Sequence, residues 1–150
     1  MTLIDIRNGI IKLLRASTEI NNITGEDITQ TENEPYLHIQ LVPLSSKTMA
    51  AGHWIQKEIL VDIAYMEKLV TSNENIYKML DKLDEIFKPF FFIGRRAFTC
   101  PAQMDITDDI GHYKMTLDFI DTVPFEKMEP LVENLRIDWR ETNGITGNCD

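Results

Sequence analysis

Trp54-Ile55-Gln56-Lys57-Glu58-Ile59-Leu60-Val61-Asp62-Ile63-Ala64-Tyr65 is the stretch that decides the fold. Ile55, Lys57, Ile59, Val61, Ile63 and Tyr65 alternate with Trp54, Gln56, Glu58, Leu60, Asp62 and Ala64, the two-residue period of a strand with one face in a core. Upstream, Leu37, Ile39 and Leu41 alternate with Tyr36, His38 and Gln40 in the same way, and Pro43 predicts the end of regular pairing. The small and polar run from Leu44 to His53, with Ser45, Ser46, Lys47, Ala50, Ala51 and Gly52, reads as a loop between the two strands. Together they predict a long antiparallel hairpin whose tip projects beyond the domain body, a natural docking element.

Working outward, Thr2 to Glu19 places Leu3, Ile6, Ile10, Leu13 and Leu14 on one helical stripe, with Thr2 and Asp5 spaced as a capping pair. Gly9 inside that helix weakens it; close approach of another element is one reason for a glycine there, and the sequence assigns it no role. Asn21 to Pro35 reads as a short edge strand and an acidic connection carrying Glu26, Asp27, Glu32 and Glu34. Thr71-Ser72-Asn73-Glu74 reads as a capping box for a second helix, with Ile76, Met79, Leu80, Leu83, Ile86 and Phe87 inward and Pro89 as its stop. Ala97 to Thr107 and His112 to Val123 flank the turn signal Asp108-Asp109-Ile110-Gly111, which predicts a second hairpin. The order gives an α+β fold, a mainly antiparallel sheet with two helices packed on one face. The domain is expected over 1–123, with 124–150 as a C-terminal arm and tail in which Leu135, Ile137 and Trp139 alternate.

The chain's 150 residues suit one domain, which hides roughly 68 to 70 % of its unfolded surface. Fifteen Lys and Arg against 24 Asp and Glu leave a formal charge of −9, unfavourable for a protein that binds nucleic acid by neutralising phosphates. No apolar run approaches the roughly 20 residues of a membrane span, and the start lacks the pattern of a signal peptide, so assembly in the cytoplasm is expected. Cys100 and Cys149 read as free thiols.

Catalysis needs converging groups, and the nucleophile-elbow, phosphate-loop and zinc-protease signatures are all absent. No enzyme activity, cofactor or metal is therefore expected. His38, His53, His112 and Cys100 lack the short ligand spacing of a zinc site. Asp105, Asp108 and Asp109 before Gly111 read as a turn rather than a calcium loop. Phe87, Phe90, Phe91 and Phe92 read as core packing where the second helix returns to the sheet. Arg95-Arg96 is a solvated start of a strand or an inter-subunit salt-bridge site, whereas Trp54 and Trp139, large groups on faces the core does not use, read equally as a partner interface or as incidental packing.

Ile6-Arg7-Asn8-Gly9-Ile10, Glu34-Pro35-Tyr36-Leu37, Ile59 to Tyr65, and Asn75-Ile76-Tyr77, with Tyr113 to Phe119 as the final strand, resemble the tail terminator (tail completion) proteins of phages and phage-like particles of Gram-positive bacteria. The resemblance covers about residues 3 to 123. It implies a structural subunit, a homohexameric ring on the head-proximal end of the tail tube that stops polymerisation and meets the neck or collar. Implied partners are other copies of the chain, the tube protein, and the sheath and neck proteins, with DNA only as passing cargo. Contractile-tailed and bacteriocin-like particles both remain open. The interface residues expected on this reading are Ser45, Ser46, Lys47, Gly52, Trp54, Arg95, Arg96, Leu135, Ile137 and Trp139. Competing readings are another connector of the same particle, or a small ligand- or metal-binding module.

Overall fold

A computed structural model describes residues 1–25, 35–49, 52–67 and 72–123. Helix α1 spans Leu3–Ser17, and its first turn is closed by the expected reciprocal cap: the Asp5 N–H donates to Thr2 Oγ1 (3.1 Å) and the Thr2 N–H donates to Asp5 Oδ2 (2.8 Å). Strands β1 (Asn22–Gly25), β2 (Tyr36–Met49) and β3 (Trp54–Met66) follow, then helix α2 (Glu74–Phe87). The short strands β4 (Phe91–Ile93) and β5 (Arg96–Phe98) pair with each other, and β6 (Ala102–Thr107) and β7 (Ile110–Thr122) complete the chain order.

The main sheet has the order β1-β2-β3-β7-β6. Its neighbours are antiparallel except β1, which runs parallel to β2, so the fold is α+β with a mainly antiparallel, mixed sheet. Ile6, Ile10 and Leu14 of α1, and Ile76, Leu80, Leu83 and Phe87 of α2, join Leu37, Ile39, Ile59, Val61, Ile63, Tyr113, Met115 and Leu117 in one buried cluster. Directly paired residues share a face. The inward strand residues therefore lie on one side of the sheet, and both helices cover that side.

Three local expectations change. First, Leu44 to Met49 is strand rather than loop: a register shift between Pro43 and Ser45 absorbs the proline, and pairing resumes from Ser45↔Glu58 to Met49↔Trp54. One extra residue on one strand lets a ladder continue past a residue that cannot donate. Second, the cap of α2 is Asn73, which makes no side-chain capping bond, and Thr71 of the expected box lies outside the described residues. Third, the arm expected from Ala97 to Thr107 is two strands, β5 and β6, separated around Pro101. The turn that follows is the pair Asp108-Asp109, with φ of 52° and 60°.

Two close approaches hold the layers together. A Cβ on Gly9 would sit 2.6 Å from Ile93 Cγ2, so glycine is what lets β4 press against α1. Gly111 plays the same part beneath Ile76 of α2, again at 2.6 Å.

Candidate interaction surface

The sheet's second side is left open by both helices. Pairing across β2, β3 and β7 builds it row by row: Met49-Trp54-Thr122, Lys47-Gln56-Ile120, Ser45-Glu58-Asp118, Val42-Leu60-Thr116 and Gln40-Asp62-Lys114. Trp54 is 47 % and Ile120 48 % exposed, and Met49 and Val42 also face solvent. Burying such groups is the usual reason to keep them on a surface. Sequence alternation isolated Trp54; Ile120 and Met49 join it only because the register lays three strands side by side.

Carboxylates are interleaved with these apolar groups. Glu58 and Asp118 stand directly opposite each other, an unfavourable arrangement for like charges, without a cation among their described contacts. Ser45 Oγ donates to Glu58 (3.3 Å), and Gln56 Nε2 donates to both oxygens of Asp118 (2.9 and 3.0 Å). Further along, His112 Nδ1 lies 3.1 Å from both Asp62 oxygens. Lys114 bonds Asp105 at 2.7 Å, and that hydrogen bond holds the Asp105 carboxyl below the usual carboxylate range.

The expected interface residues divide. Ser45, Lys47 and Trp54 lie on the open side, while Ser46, paired with Lys57, lies on the helix side of the same strand. Gly52 has φ of 87° at the hairpin end, a conformation that favours glycine. Arg95 is exposed, but Arg96 is engaged internally, 3.2 Å from Asp121 and 5.0 Å from the Phe119 ring centre. Leu135, Ile137 and Trp139 lie outside the described residues.

The phenylalanine cluster is only half core. Phe87 and Phe91 meet edge to face at 4.9 Å in the interior, whereas Phe92 on the other face of β4 and Phe90 just before the strand are exposed. Among the described residues no cluster of three or more His, Cys, Asp or Glu could hold a metal ion. His38 Nδ1 is 3.4 Å from Thr24 Oγ1, and burial pushes the Cys100 thiol up to about 11, which disfavours the reactive thiolate. No helix among the described residues is long and apolar enough to cross a membrane.

The fold is an α+β domain that leaves large apolar side chains exposed on the open side of its sheet. The chain belongs to the phage tail terminator protein family, whose sequence model matches residues 5–129. That family places it among the structural components of phage tails, in contact with other tail proteins. A solved structure is similar at 18 % identity, covering 83 % of this chain and 98 % of that one, with a TM-score of 0.47. No curated protein matches.

Proposed function

We propose that this chain caps the head-proximal end of the tail tube as a six-copy ring, stops tube polymerisation and presents a surface to the neck or collar. The observation that carries this reading is the open side of the sheet, where Trp54, Ile120 and Met49 remain exposed after both helices have closed the core. A subunit making heterologous contacts that close after six copies covers all six sites of a six-fold tube together. Growth then has no free end. Each copy contributes a formal charge of −9, so an acidic lumen would repel DNA and let it slide through. Assembly takes place in the host cytoplasm, after which the ring stays in the tail.

The test removes the protein and measures particles. Tubes should become overlong and lack attached heads or collars; tubes of normal length would sink the reading. In purified material a six-subunit mass is expected, and Trp54→Glu should abolish it while changing monomer stability by no more than about 0.5 kcal/mol.

A further inference from the structure

Two shallow grooves run beside α1 and meet at Asn8. The first, about 740 Å³, is lined by Met1, Asp5, Asn8, Gly9, Ile93 and the turn Gly94-Arg95-Arg96. The second, about 390 Å³, is lined by Asn8, Ile11, Lys12 and Arg15. Lys12, Arg15 and Arg95 are exposed and have no hydrogen-bond or ion-pair partner among the described residues. The carboxylate in the groove, Asp5, is already taken by the backbone N–H and hydroxyl of Thr2, both at 2.8 Å. This is a cationic trough on an acidic protein.

Its complement stands at the turn between β6 and β7. Asp108 and Asp109 form the two-residue turn between β6 and β7, both exposed and both at positive φ, and neither carboxylate has a partner among the described residues. The turn is a narrow knob with two charges at its tip. Asp121, which touches Arg96, lies at the other end of β7, about 40 Å from the knob at strand rise, and α1 runs from there back toward Ser17, which lies beside Tyr65, the partner of Gly111.

We propose that the Asp108-Asp109 tip of one copy seats in the Lys12-Arg15-Arg95 groove of the next copy. Knob and groove are different surfaces that make no contact with each other among the described residues of one copy, so a contact joining them between copies is head-to-tail. Repeated contacts of that kind either close as a ring or run on as a filament. This inference rests on the ring reading above and assigns one of its contacts. Charge pairing of this type also steers association and is weakened by salt.

The test compares ring dissociation by native mass spectrometry and sedimentation for the full chain and two variants. Asp108→Asn with Asp109→Gly removes both charges while installing the pair best suited to this turn. The ring dissociation constant should rise at least tenfold, with the monomer's unfolding midpoint not lowered. Lys12→Glu with Arg95→Glu, at exposed positions, should give the same loss. Wild-type-like rings from either variant would overturn the assignment and leave the ring reading standing. Rings that persist in the groove variant but retain less DNA would also overturn it, turning the trough toward nucleic acid. A wild-type chain that stays monomeric removes the ring reading and this contact with it.

Discussion

Asp121 receives three cationic groups on one carboxylate: Lys57 Nζ at 2.9 Å, the N-terminal ammonium at 3.1 Å, and Arg96 Nη1 at 3.2 Å. The Arg96 contact is an ion pair without hydrogen-bond geometry, and Nη1 is otherwise buried without a partner. Burial pushes the Asp121 carboxyl up, but the hydrogen bonds from Lys57 and the N-terminus outweigh it and hold the group below its ordinary value. A carboxyl lowered in the folded state contributes stability above its unfolded pKa of about 3.9 and loses it as pH falls through the lower folded value. Asp121→Asn should therefore destabilise the fold by about 1–3 kcal/mol at pH 7, with the gap to wild type narrowing below about pH 3.9. Urea unfolding at pH 7 and pH 3 measures this, and an unchanged gap would reject it. The cluster was not legible in the sequence, because Lys57, Arg96 and Asp121 are far apart along the chain and only β3, β5 and β7 bring them together.

At the scale of elements, α1 follows from its sequence almost completely: the Thr2-Asp5 cap and the Ile6-Ile10-Leu14 stripe are local properties. The reason for Gly9 is not local. It depends on Ile93, 84 positions later, pressing on the helix. Gly9→Ala gains up to about 1 kcal/mol of helix propensity but overpacks a buried isoleucine at a cost of about 1–3 kcal/mol. The net expectation is a loss of about 1 kcal/mol, or roughly 2–4 °C in the thermal midpoint. A raised midpoint would show that Ile93 can yield. The continuation of β2 past Pro43 was hidden for a similar reason: Ser45, Ser46, Lys47 and Thr48 have no strand signature of their own, and it is pairing with Glu58 to Ile55 that orders them.

At the scale of the whole molecule, every member of the buried cluster among the described residues lies between Ile6 and Phe119. We propose that residues 1–123 fold without the rest of the chain. A chain ending at Val123 should keep the thermal midpoint of the full chain to within a few degrees, and a collapse of cooperative unfolding on calorimetry would refute this. If 124–150 serves as an arm between copies, the same truncation should weaken assembly while leaving the monomer intact.

The α+β class, the two helices and the inward face of each main strand were determined by the sequence alone, because helix and strand periods are written in neighbouring residues. The parallel placement of β1 and the gathering of Trp54, Met49 and Ile120 were decided only by tertiary structure. Each depends on register between distant segments, and register is set by which faces must be buried together rather than by any one segment's pattern.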